Sequence, residues 1–128
     1  MNISDAARLS GLSAKQIRDY EKLGLLSAPT RNEAGYRQYN TQTVQHLRFI
    51  RHARAVGFSL PQIATLLQLQ RSPHAPRQEI KNLTAQHIAA LQAQILTLQH
   101  MVDELQHWHD ACSGDNSEPC PILNGLQN

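Results

Sequence analysis

ISDAARLSGLSAKQIRDYEKLG, residues 3–24, is the stretch that decides the fold. Ile3, Ala6, Ala7 and Leu9 fall at helical spacing, with Ser4 as the expected N-cap. Gly11 stops this helix and Leu12 anchors the turn. Ser13 then caps a second helix, in which Ile17, Tyr20 and Leu23 face inward until Gly24 ends the run. Two short helices around a tight, glycine-containing turn read as helix-turn-helix, with a plain helical hairpin as the alternative. The residues that follow favour the former. Leu25–Pro29 is extended, Asn32-Glu33-Ala34-Gly35 is a turn signal, and the alternation in Tyr36-Arg37-Gln38-Tyr39 predicts a short hairpin, or wing.

Working outward, Thr41 begins an amphipathic helix with Val44, Leu47, Ile50 and Ala53 on one face, and Gly57 breaks it. Ser59 caps a further helix with Pro61 in its first turn. Its Ile63, Leu66 and Leu67 close the core of an N-terminal domain over residues 1–70. Residues 71–77 form a linker, since Ser72-Pro73-His74-Ala75-Pro76 is a break. From Gln78 to His109 there is neither Gly nor Pro. Ile88, Leu91, Ile95, Leu98, Val102 and Leu105 step by three and four, an a/d pattern. About 30 residues make a helix roughly 45 Å long, whereas a compact chain of this size has a radius of gyration of about 14 Å. One small domain cannot cover that stripe, so residues 78–110 are expected to dimerise about a two-fold axis. Residues 111–128 form a loop and a C-terminal segment. The fold class is mostly α, a winged helix-turn-helix domain followed by a long coiled-coil helix.

The 128 residues carry a net charge of only +2, but the charge is unevenly spread. Residues 1–60 hold nine basic and four acidic side chains, a net of +5, while residues 61–128 hold three basic and six acidic ones, a net of −3. The first half is suited to a polyanion. No apolar run reaches the roughly 18 residues of a membrane span. The N-terminus lacks the basic and apolar regions of a signal peptide, so a cytoplasmic location is expected and the two cysteines are expected to be thiols. Neither a Gly-rich phosphate loop nor a Ser/His/Asp constellation is present, which argues against an enzyme.

Two groups of residues suggest chemistry. Lys15, Arg18 and Asp19 lie towards the start of the second helix, where a recognition helix meets base edges. Lys15 and Arg18 share a face. Asp19 either accepts from a cytosine amine or points away. Tyr36, Arg37 and Tyr39 offer a cation flanked by two hydroxyls for phosphate oxygens, and Arg54 is placed for the backbone as well. The second group is Cys112 and Cys120, separated by seven residues that contain Gly114, Asp115, Asn116 and Pro119. An incidental pair of thiols is one alternative. Two thiolates alone suit a soft monovalent ion such as Cu(I), Ag(I) or Au(I); the resulting charge of −1 calls for a nearby cation. His107 and His109 leave a mixed His/Cys zinc site open, and a disulfide-forming redox sensor is a further alternative.

The motifs Ile17-Arg18-x-Tyr20-Glu21-x-x-Gly24-Leu25, Arg31-x-x-x-Gly35-Tyr36-Arg37-x-Tyr39 and Ile50-Arg51-x-Ala53-Arg54-x-x-Gly57-Phe58-Ser59-Leu60 resemble the MerR family of bacterial transcription regulators. The ending from Ala111 through Ile122 resembles its copper-efflux regulator branch. The resemblance implies an antiparallel dimerisation helix and a C-terminal metal-binding loop. It assigns Lys15, Arg18, Tyr20, Tyr36, Arg37 and Arg54 to double-stranded, pseudo-palindromic promoter DNA, and Cys112 and Cys120 to one Cu(I) per protomer. It implies an activator of copper-export genes that distorts a long-spacer promoter, so that RNA polymerase is addressed through the DNA. Two positions depart from the pattern. Asp19 replaces a residue that is usually aromatic or otherwise non-acidic. Arg77 stands where related copper sensors carry a Ser, and divalent sensors a Cys, contributed by the other protomer. Arg77, with Lys81 nearby, is expected to neutralise the metal-dithiolate.

Overall fold

Asn2, Ser13, Asn40 and Ser59 each stand one residue before a helix. Each offers a side-chain oxygen to an amide that the first turn leaves without an intrahelical partner. In the computed structural model, which describes residues 1–128, these caps open α1 (Ile3–Ser10), α2 (Ala14–Lys22), α3 (Thr41–Ala55) and α4 (Leu60–Arg71). Between α2 and α3 lies an antiparallel hairpin, β1 (Thr30–Arg31) and β2 (Arg37–Gln38), with Thr30 opposite Gln38 and Arg31 opposite Arg37. The long α5 (Arg77–Ala111) and the short α6 (Pro121–Gln127) follow. Ser4, the expected first cap, falls inside the first turn instead. Asn2 Oδ1 accepts the Asp5 N–H at 2.8 Å, and the Asp5 carboxylate accepts the Asn2 N–H at 3.3 Å.

The chain divides into two units, Met1–Ile80 and Lys81–Asn128. In the first, α1 packs on α2 and α3, and α3 packs on α4. Ile17, Leu47, Ile50 and Ile63 are completely buried where these helices meet. Leu23 does not face inward as expected; it is 60% exposed. It is the C-cap of α2, and Gly24 behind it takes φ +78°. The Gly24 N–H returns to the Glu21 carbonyl and the Leu25 N–H to that of Tyr20. That reversal carries Leu25, not Leu23, into the core. In the wing, the Asn32 side chain accepts from the Tyr36 N–H at 3.0 Å, and its carbonyl accepts from the Gly35 N–H at 2.9 Å.

The expected helix over 78–110 extends one residue further at each end. Its first turn belongs to the first unit, because Arg77 and Ile80 line a groove with Phe49, Leu66 and Leu69. In the second unit no residue of α5 is buried. Ile88, Ile95, Leu98, Val102 and Leu105 are each about half exposed, so the a/d stripe is uncovered within one chain. The segment after residue 111 is more ordered than a loop and tail. Cys120 stands at the N-cap of α6, and Gly125 lies so close to Trp108 that a Cβ there would sit 2.3 Å from the ring. No helix is long and apolar enough to cross a membrane.

Candidate nucleic-acid interface and metal loop

The face of α2 opposite Ile17 is polar: Lys15, Arg18, Asp19 and Lys22 are all exposed. The charged ends of Lys15 and Arg18 bond to no other group of the chain, which leaves them free for phosphate or base edges. Tyr20 is different, since it is part of the core and 8% exposed. Between α2 and the wing lies a cleft of about 470 Å³ whose wall includes Arg18, Arg31, Tyr36 and Arg37. Three arginines therefore border one cleft with Tyr36, which is 70% exposed. Arg31 was not singled out by sequence reasoning. Its Nη1 also donates to the Gly35 carbonyl at 2.8 Å and braces the turn.

The expected trio of Tyr36, Arg37 and Tyr39 does not form one phosphate-binding set. Tyr39 is buried, and its hydroxyl donates to Glu21 Oε1 at 2.5 Å. Arg37 Nε donates to the other oxygen of Glu21 at 3.2 Å. The tyrosine was misplaced because alternation at a hairpin gives facing, not the identity of what lies beneath. Burial, then the bond to Glu21, pushes the Tyr39 hydroxyl far above its usual range. Glu21 thus fixes the wing to α2 and orients Arg37. Sequence reasoning missed its role, although the signal was present. Glu21 is four residues after Ile17, on the buried side of the helix, and a carboxylate there requires partners. Arg54 is exposed at the end of α3, with Nη1 donating to the Phe58 carbonyl at 3.2 Å. His46, on the same helix, is held below its ordinary value by burial and then by Arg71.

In the second unit, Cys112 follows α5 directly, its N–H bonded to the His109 carbonyl. The loop to Cys120 is braced by its own side chains. Asp115 accepts from the Ser117 N–H at 2.9 Å and hydroxyl at 2.8 Å, and Ser113 Oγ donates to Glu118 at 2.9 Å. Both thiols are half-buried. The Leu123 and Ile122 amides at the start of α6 and the Cys112 thiol neighbour the Cys120 thiol, although Cys120 makes no side-chain capping hydrogen bond. Together they draw its thiol below the usual range, the Leu123 amide most, against the opposing effect of burial. The two cysteines are therefore neighbours, and Cys120 is predisposed to thiolate, which fits a soft, two-coordinate ion. His107 and His109 are exposed on α5, and nowhere do three or more His, Cys, Asp or Glu side chains gather. Arg77 and Lys81 are exposed, and neither charged end bonds to another group of the chain.

Comparison with known proteins bears on both regions. A family model described as MerR HTH family regulatory protein matches residues 1–70, and one described as MerR, DNA binding, matches residues 44–108. A probable heavy metal-dependent transcriptional regulator of Haemophilus influenzae is 59% identical over 126 residues, 98% of each chain. The HTH-type transcriptional regulator CueR of Escherichia coli is 40% identical over 126 residues, 98% of this chain and 93% of that one. The crystal structure of the transcription regulator PbrR691 from Ralstonia metallidurans in complex with lead(II) superposes with a TM-score of 0.86 at 32% identity, over 98% of both chains.

Proposed function

The chain belongs to the MerR family of transcription regulators, in its heavy-metal-dependent, CueR-like branch, and from that premise we propose that its effector is Cu(I), with Ag(I) and Au(I) as congeners, one ion per protomer on Cys112 and Cys120. The observation that carries this is a neighbouring pair of half-buried free cysteines, one of them drawn towards thiolate. Two thiolates complete the shell of a monovalent d¹⁰ ion, whereas structural zinc takes four ligands. The pair and its ion carry −1. The unbonded ends of Arg77 and Lys81 are the cations we assign to offset it, brought by a second protomer. The exposed stripe of α5 is covered by the antiparallel helix of that protomer.

In this account the dimer binds a pseudo-palindromic promoter in the cytoplasm. Lys15 and Arg18 face the major groove, Tyr36, Arg37 and Arg54 face phosphates, and Tyr20 supports α2 from beneath. Closing the sulfurs on metal biases the dimer towards a state that bends and underwinds a long spacer, so that polymerase can use both promoter elements of copper-export genes. The same pair of free cysteines also supports a second input, oxidation to a disulfide. Titration of the reduced protein with Cu(I) against a competing chelator, beside a Cys112→Ser/Cys120→Ser variant, separates the two. One ion per protomer, lost in the variant and coupled to transcription from a long-spacer promoter, is expected. Binding indifferent to the two thiols refutes the copper assignment.

A further inference from the structure

The outward face of α2 contains one residue that does not suit a helix docking on a polyanion. Asp19 is exposed, and its carboxylate makes no ion pair or hydrogen bond within the chain. Lys15 is four residues earlier, the spacing at which helical side chains of opposite charge can meet. No ion pair forms between them. Nor is Asp19 the helix's structural carboxylate, since Glu21 takes that role with Tyr39 and Arg37. Ile17 and Tyr20 define the buried side of α2. At about 100° per residue, Asp19 projects within roughly 50° of the direction directly opposite that side, next to Lys15.

A free carboxylate on that face meets phosphates and base edges. Against phosphates it is repulsive. Against base edges its acceptor-only chemistry is selective. Guanine presents two acceptors in the major groove, thymine an acceptor and a methyl, and adenine an acceptor beside its amine. Cytosine alone presents an amine donor with no acceptor on the same base.

We propose that Asp19 is a specificity-determining residue that accepts a hydrogen bond from the N4 amine of one cytosine in each half-site. On this basis the carboxylate trades non-specific affinity for sequence discrimination, and the operator half-site has a fixed C·G pair opposite the middle of α2. The inference rests on the DNA-binding role proposed above and adds to it which base is read and by which atom.

The test is in vitro selection from a duplex library with two randomised, inverted half-sites, using the full-length protein, Asp19→Ala and Asp19→Asn at one fixed salt concentration. Wild type is expected to select a cytosine at one position, and its replacement to weaken binding roughly 5- to 150-fold per half-site. Asp19→Ala is expected to lose the preference at that position alone while binding other sequences more tightly. Asp19→Asn is expected to move it towards adenine, whose amine and N7 match a carboxamide. If Asp19→Ala selects the same half-site as wild type, Asp19 is only a repulsive surface charge and the proposal is overturned. If wild type enriches no sequence, the DNA-binding role itself fails, and with it this inference.

Discussion

Replacing Glu21 with alanine should damage the N-terminal unit more than its partly solvated position suggests. The Glu21 side chain is 10% exposed and accepts from the buried Tyr39 hydroxyl at 2.5 Å and from Arg37 Nε at 3.2 Å. A hydrogen bond to a charged acceptor contributes about 1.5–3 kcal/mol, and a buried hydroxyl left without a partner costs about 1–3 kcal/mol, two descriptions of largely the same loss. The Arg37 pair, with the arginine side chain 31% exposed, adds less than about 1 kcal/mol. A total of roughly 2–3 kcal/mol should lower the melting temperature of a unit this size by about 10–20 °C. Glu21→Gln, which keeps an acceptor without its charge, should lose about half of that. Thermal unfolding followed by circular dichroism gives the comparison, and spectrophotometric tyrosine titration gives an independent one. In wild type Tyr39 should ionise well above the ordinary value of 10.0, and in Glu21→Gln closer to it, since burial remains but the carboxylate does not. The raised value also sets a sign. The unfolded chain releases this proton first, so stability is full below about pH 10 and falls as pH rises above it. A melting temperature for Glu21→Ala within about 4 °C of wild type would show that the wing is held by other contacts.

His46 is depressed below 6.5 by burial and then by Arg71, so its contribution is intact above about pH 6.5 and declines as pH falls through the folded value. His46→Asn should therefore flatten the loss of thermal stability between about pH 7 and pH 5, and an unchanged acid slope would remove His46 as its source. Gly125→Ala places a methyl 2.3 Å from Trp108 Cε2, an overpacking that costs about 1–3 kcal/mol. The emission of the single tryptophan should shift to the red and Cu(I) affinity should fall while DNA affinity holds; an unshifted spectrum would mean that α6 adapts without leaving the ring.

The helices of the N-terminal unit were legible because their ends are written in the sequence. Ser13 and Ser59 cap α2 and α4 as expected, and Gly11, Gly24 and Gly57 mark the stops. Where two caps competed, at Asn2 and Ser4, local pattern could not decide, because either oxygen can serve an orphan amide. Leu23 was misjudged for a related reason: helical spacing continues through a residue at which the helix has already ended. Tyr39 and Glu21 show the limit of residue-type reasoning. An aromatic hydroxyl and an acid in a basic region suggest surface chemistry, and only packing reveals that they satisfy each other. The start of α6 was outside sequence reach. Seven residues including Asn124 and Gly125 have little intrinsic helicity, and this helix lies against Trp108. The return of the chain from Cys112 to Cys120 likewise depends on turns made by Ser113, Asp115 and Ser117, which spacing alone does not encode.

The 35 residues of α5 satisfy their backbone hydrogen bonds internally yet bury no side chain. Most helical stability in proteins comes from packing one face, and propensity alone leaves a helix marginal. The amides in the middle of α5 should therefore exchange with solvent through brief local openings in a solitary chain, and slow down in proportion to whatever covers the helix. Deuterium uptake between about residues 88 and 105 becomes a gauge of occupancy on that face. It would report how firmly a covering helix grips, turn by turn, and whether loading the sulfurs at the distal end of α5 tightens or loosens that grip.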